Sequence, residues 1–359
     1  MKNKQKSKKK RWITALAIAA GLIAAVAVFL VVRSIVNSGK AAKDTSKMEE
    51  IMNGAGSFDR PGLYVDGTAL KTKDGTEVVM RGVNHPHSWY KNFDDTAFKA
   101  IAETGSNAIR IVCACGIRWD KDSAETLKAL INKAKEHGML AIVEVHDGTG
   151  KDEITVLEQI AEYWVSMADV LKGTEEYCIL NIANEWCGKY SAGLWRDGYV
   201  KVIPMLRKAG IRNVLMVDAA GWGQFGGSIR KYGVEVFEAD ECRNTMFSVH
   251  MYGNAGGSSV KVKENLTAAT ASGLCVCVGE FGWKHSDGNV DEDFIMKYCT
   301  EEDIGYLAWS WKGNSGGVEY LDLTDKWDGS ALTKEWGEKV VNGEYGIKAT
   351  SKRYIEPSK

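Results

Sequence analysis

An α/β chain built as a (β/α)8 TIM barrel is predicted by three observations. Eight short apolar runs, at 78–83, 108–114, 140–145, 178–183, 214–217, 246–249, 275–278 and 306–311, recur at intervals of roughly 30–38 residues. The stretches between them carry helical periodicity, so β and α units alternate. Nearly every run ends in a residue able to move protons or hold a polar ligand, and this fold gathers its active site at the C-terminal strand tips. A six- or seven-stranded doubly wound sheet is the next most economical closure.

The first element precedes the barrel. Residues 1–33 hold eight Lys or Arg and no acid, and within them 12–32 is an uncharged apolar run. Such a run, about 20 residues, is long enough to cross a bilayer, and basic residues ahead of it place its N-terminus in the cytoplasm. A signal anchor is expected, with a cleaved leader as the alternative. Either puts the rest of the chain outside the membrane: on the extracellular face if anchored, or secreted if cleaved. Residues 34–57, short in apolar side chains, read as a tether. The domain proper is expected over 58–359.

A hairpin is expected around Asp66-Gly67 and Asp74-Gly75, where turn residues interrupt apolar alternation. The strand runs follow, separated by amphipathic stretches such as 123–137, 154–171 and 192–208, with Gly173 and Gly210 just past the last two as stop signals. With 45% hydrophobic and 26% charged residues, the chain can bury one large core.

Formal net charge is −1, so the eight cations of the tail leave −9 on the remainder. That balance excludes nucleic acid as a partner. Eight cysteines outside the cell would ordinarily suggest disulfides. Most of them sit in apolar runs, however, where cysteine acts as a small hydrophobe, so buried free thiols are expected.

Two runs end in glutamate: Asn184-Glu185 closes the fourth and Glu280 the seventh. A carboxylate at the edge of a core is poorly solvated unless partnered or employed. Two such groups suit hydrolysis of a glycosidic bond, one giving the proton and the other acting as nucleophile or base. Other tips offer His85, His87 and Trp89 after the first run, Arg110 in the second, His146-Asp147 after the third, Asp218 and Trp222 after the fifth, His250 and Tyr252 after the sixth, and Trp309 and Trp311 on the eighth. Taken singly, such a residue is more often a cap or turn former than a catalyst; the ordered set carries the reading. Trp89, Trp222 and Trp283 are candidate stacking platforms for sugar rings.

These residues resemble glycoside hydrolase family 5. Asn181-Ile182-Ala183-Asn184-Glu185-Trp186 and Gly279-Glu280-Phe281-Gly282 are similar to its two catalytic segments, and Asn84-His85-Pro86-His87-Ser88-Trp89, Val143-Glu144-Val145-His146-Asp147, Ser248-Val249-His250-Met251-Tyr252 and Trp309-Ser310-Trp311 are similar to segments of its bacterial endo-β-1,4-mannanases. The resemblance runs over about 58–354. It implies a retaining enzyme cutting internal bonds of β-mannan, with Glu185 as acid/base and Glu280 as nucleophile. Arg110, His146, Asn184, His250, Tyr252 and a last-strand tryptophan would surround them, Trp309 being favoured over Trp311. Neither metal nor cofactor is expected, and a monomer is. Cys113-Ala114-Cys115, Gly253-Asn254 and Trp283 depart from the mannanase pattern at positions that rim the cleft. The alternatives are a β-1,4-glucanase, which would share every catalytic residue, and a surface carbohydrate-binding protein without catalysis.

Overall fold

The computed structural model describes residues 60–357. The basic tail, the apolar run at 12–32 and the tether at 34–57 lie outside the described residues. Among those described, no helix is long and apolar enough to cross a membrane.

Eight parallel strands close into a barrel in chain order: β1 (Arg81–His85), β2 (Ala108–Cys113), β3 (Leu140–Val145), β4 (Cys178–Asn181), β5 (Leu215–Asp218), β6 (Thr245–Met251), β7 (Val276–Phe281) and β8 (Gly305–Ala308), which pairs back onto β1. Outside it lie α1 (Asp94–Glu103), α2 (Ala124–Glu136), α3 (Ile154–Ser166), α4 (Ala192–Lys208), α5 (Gly226–Glu238), α6 (Ser259–Thr270), α7 (Glu292–Glu301) and the short α8 (Gly337–Asn342). Ser123, Ser191 and Ser258 accept first-turn N–H groups of α2, α4 and α6, each cap contributing about 1 kcal/mol.

The strand runs look uniformly apolar because both faces are buried. Ala108, Ile142, Ile179, Met216, Met246, Cys277 and Leu307 point inward and form a core within the barrel. Their neighbours Ile109, Val143, Leu180, Leu215, Phe247 and Val278 point outward to the helices. The expected hairpin pairs Tyr64–Asp66 with Ala69–Lys71. From it and the segment that follows, Leu63, Val65, Leu70, Val78 and Met80 join the inner core. These residues plug the barrel at the N-terminal ends of its strands, leaving the opposite end for chemistry.

Several expected spans change. Val78 and Met80 belong to the plug, so β1 starts at Arg81; the last run stops at Ala308, where the chain leaves the sheet; and the stretch at 154–171 breaks at Met167 into two helices. All eight cysteines are free, six of them buried. Burial pushes the thiols of Cys178, Cys275 and Cys299 up to about 12.

Away from the barrel mouth, Arg207 of α4 grips Asp240 through Nε at 2.7 Å and Nη2 at 2.8 Å, with both side chains buried. Asp240 also accepts from Thr245 and from the Asn244 N–H. Asp240→Ala would strand a buried guanidinium, and the expected loss is about 3–5 kcal/mol. Chemical denaturation should register it, and an unchanged midpoint would refute the account.

Candidate active site

Arg110 is the hub of the barrel mouth. It has no solvent exposure, and its N–H groups reach five side chains: Asn181 at 2.8 Å, Asn84 at 2.9 Å, Glu280 at 2.8 Å, Asn184 at 2.7 Å and Asp218 at 3.4 Å. Burial would weaken the guanidinium's hold on its proton. The charges of Glu144, Glu280 and Asp218 outweigh that and raise its pKa. A fixed cation with five acceptors holds four strand tips relative to a fifth.

Glu280 owes its direction to an irregularity in β7. Cys275 and Cys277 point inward and Val276 and Val278 outward, so strict alternation would send Gly279 in and Glu280 out. The ladder with β6 shifts there: Val249 pairs with Val278 but His250 pairs with Glu280. The extra residue is a β-bulge that turns the carboxylate into the barrel. A Cβ at 279 would meet Ser248 Oγ, so glycine lets β7 approach β6 here without moving that side chain. Besides Arg110, Glu280 accepts from the Tyr252 hydroxyl at 2.8 Å. Burial, reinforced by the charges of Glu280 and Glu185, raises the Tyr252 pKa well above its usual value and keeps the phenol a donor.

Glu185 sits in the left-handed region, at φ 46°. For a non-glycine residue this costs about 1–2 kcal/mol. The conformation is held by its own N–H, which donates to Asp218 Oδ2 at 3.0 Å. Its carboxyl meets His250 Nδ1 at 2.8 Å. Burial depresses the His250 imidazolium, but the charges of Glu280 and Asp218, with the hydrogen bond to Glu185, push its pKa up to about 10. The ring therefore donates to Glu185. One oxygen of Glu185, His250 Nδ1 and one oxygen of Glu280 all lie within 4.8 Å of one another. Three donors at that spacing resemble a metal cradle, but a protonated imidazole and the adjacent guanidinium suit anionic or hydroxylic ligands instead.

Asn184 accepts from Arg110 and donates to Thr149 Oγ1 at 2.9 Å. His146 is oriented by buried Glu144 through Nδ1 at 2.8 Å. Burial disfavours its charge, but the Glu144 carboxylate wins and raises its pKa. One face of this ring lies along Trp309, centroids 5.6 Å apart and 22° from parallel, and the edge of Trp89 meets it at 5.2 Å. Glu185, Glu280, His146, Asn184, Tyr252, Trp222 and Trp309 line one open cavity of about 460 Å³.

Four expected site residues lie elsewhere. His85 and His87 are buried against Asp94, at 2.8 and 2.7 Å, and His87 also approaches Asp122 at 3.3 Å. Asn84 points inward, so His85, next along the strand, faces α1 instead of the cleft. Trp311 has no exposure, and its indole N–H donates to Trp327 O at 2.9 Å in the outer core. Trp283 turns its indole N–H to Tyr320 O at 2.7 Å and does not line the cavity. Glu144 and Asn181, not singled out from sequence as site residues, join Asp218 in the buried polar floor; Gln224 and the segment 285–287 line the cavity beside Asn254, which rims the cleft as expected. Asp287 ties this last rim together by accepting from the N–H groups of Gly253 and Asn254, both at 2.9 Å.

A family model described as cellulase (glycosyl hydrolase family 5) matches residues 72–315. The chain belongs to glycoside hydrolase family 5. Among family 5 relatives, it is 50% identical over 291 residues to a mannan endo-1,4-beta-mannosidase of Salipaludibacillus agaradhaerens, covering 81% of this chain and 94% of that one. It is 43% identical to a protein of the same name from Streptomyces lividans, covering 81% of this chain and 76% of that one. The solved structure of a beta-mannanase from Thermomonospora fusca superimposes with a TM-score of 0.77 at 38% identity, covering 82% of this chain and 98% of that one.

Proposed function

We propose that this family 5 enzyme is a retaining endo-β-1,4-mannanase in which Glu280 is the nucleophile and Glu185 the acid/base. The carrying observation is the closeness of the two carboxyls, whose nearest oxygens lie within 4.8 Å. Retention needs carboxyls ~5–5.5 Å apart, and inversion ~6.5–9.5 Å to admit a water. Glu280, paired with Arg110 and Tyr252, attacks the anomeric carbon. Glu185 passes its proton to the departing glycosidic oxygen, giving a glycosyl ester on Glu280 and a free chain end. Water then adds at the same carbon and gives its proton to Glu185, while Glu280 leaves as carboxylate.

The buried charges favour this division. Arg110, His146 and His250 face the carboxyls of Glu144, Asp218, Glu280 and Glu185. Arg110 donates to Glu280 at 2.8 Å, which suits that carboxylate to attack, and general-acid catalysis leaves the donated proton to Glu185. Asn184 is placed to meet the sugar 2-OH, where a hydrogen bond strengthens in an oxocarbenium-like transition state. Trp309, Trp89 and Trp222 offer apolar faces to sugar rings.

The substrate assignment rests on the relatives named mannan endo-1,4-beta-mannosidase. A site that hydrogen-bonds an axial 2-OH discriminates against the equatorial epimer. The expected products from unbranched β-1,4-mannan are short oligosaccharides. Carboxymethylcellulose should be at least ~100-fold poorer in kcat/KM, or about 2.7 kcal/mol in the transition state. Reducing-end assays on both polymers test this, and comparable rates would favour the glucanase reading.

We further propose that the enzyme works on the outer face of the cell membrane, held by the apolar run at 12–32. The basic flank and the length of that run support this. Activity should sediment with membranes, and a chain lacking residues 1–33 should be soluble and active. Native enzyme recovered from the medium with its N-terminus near residue 40 would establish cleavage instead.

A further inference from the structure

Asp218 ends β5 inside the barrel with no solvent exposure. It makes contact with both sides of the acid/base assembly. Through Oδ2 it accepts the Glu185 N–H at 3.0 Å, fixing the left-handed backbone that presents the carboxyl. The same oxygen lies 3.4 Å from His250 Nε2, an ion-pair distance, while the opposite ring nitrogen donates to Glu185 at 2.8 Å. Arg110 at 3.4 Å and Asn181 Nδ2 at 3.2 Å fix the carboxylate in turn. Gly223, at φ 70°, leaves room for the His250 ring where any Cβ would collide with it, and its carbonyl accepts the His250 backbone N–H at 2.8 Å.

We infer that Asp218 is a positioning residue for the acid/base, holding the backbone of Glu185 directly and its carboxyl through His250, in a line Asp218, His250, Glu185. The inference rests on the assignment of Glu185 as acid/base. Its physical content is electrostatic as well as steric. His250 is faced by Glu185 from the end of β4, Asp218 from β5, Glu280 from β7 and, across the floor, Arg110 from β2; Tyr252 completes the shell through its bond to Glu280. Interacting groups of this kind titrate as a unit. Removing one buried negative charge makes every proton in the unit easier to lose. The carboxylate of Asp218, remote from the substrate, thereby helps set the pH at which Glu185 still holds the proton it must donate.

The test is Asp218→Asn, which preserves volume and removes the charge. The alkaline limb of kcat/KM on mannan should move at least about one pH unit to lower pH, by the coupling just described. The kcat on mannan should fall about 10–100-fold, the scale of an impaired proton transfer. On a dinitrophenyl glycoside, whose leaving group needs no proton, the glycosylation step should be nearly unaffected. A superimposable pH profile, or equal losses on both substrates, would overturn the inference. Azide rescue of Glu185→Ala would stand or fall separately, so the two assignments are distinguishable. If the variant does not fold, nitrogen NMR of the intact enzyme decides. A doubly protonated His250 ring at pH 8 supports the line, and a neutral ring refutes it.

Discussion

Replacing Glu280 with Ala should lower turnover of mannan by about 10⁴-fold or more, a loss of roughly 5.5 kcal/mol or more in the transition state. The covalent intermediate cannot form without this carboxylate, and no other acid can take its place. Asp218 and Glu144 are fully buried and committed to Arg110, His250 and His146, and Glu185 holds the proton for the leaving group. The fold should persist. Glu280 sits at a strand tip, and its removal frees an Arg110 that still has four acceptors. Steady-state rates alongside thermal unfolding check both halves. Substantial activity in a folded variant would remove Glu280 from the mechanism.

Glu185→Ala should fail in a different way. With polymer the leaving group is a sugar hydroxyl that needs a proton, and the loss should reach about 10²–10⁴-fold. With a dinitrophenyl glycoside the first step survives, and the glycosyl ester on Glu280 accumulates for want of a base. Azide needs no base: it attacks the anomeric carbon, Glu280 departs as carboxylate, and a glycosyl azide of the original β configuration results. An α product, or no azide dependence at all, would contradict the assignment.

Much of the architecture is legible because buried parallel strands are apolar on both faces and recur at an interval set by one helix and two loops. The two glutamates are legible for a related reason, since an acid closing an apolar run is conspicuous. Side-chain direction at the tips is less so. His85 follows an inward Asn84 and so faces out, while Trp311 shares the strand parity of Trp309 only if the strand continues, and β8 ends at Ala308. Trp283 lies two residues beyond the end of β7, where its indole finds Tyr320 O. The acids of the floor, Glu144 and Asp218, differ from ordinary turn or cap residues only in being enclosed by other strands. That is a property of closure, which no single segment records. The rim at 285–287 depends on loop hydrogen bonds around Asp287 and has no periodic signal.

The one-residue offset in β7 makes the enzyme tolerant of one class of genetic change and brittle to another. Substitutions along Val276 and Val278 alter packing against helices but leave the count of residues before the acid intact. Losing Gly279 would remove the bulge and leave Glu280 in its inward position opposite His250, whereas gaining one further residue ahead of Glu280 would reverse its parity and send the carboxylate to the opposite face. Point mutation explores this strand without disturbing the nucleophile, whereas a single-codon gain displaces it with no catalytic side chain altered. Strand transplants among barrels of this kind must therefore preserve length ahead of similarity.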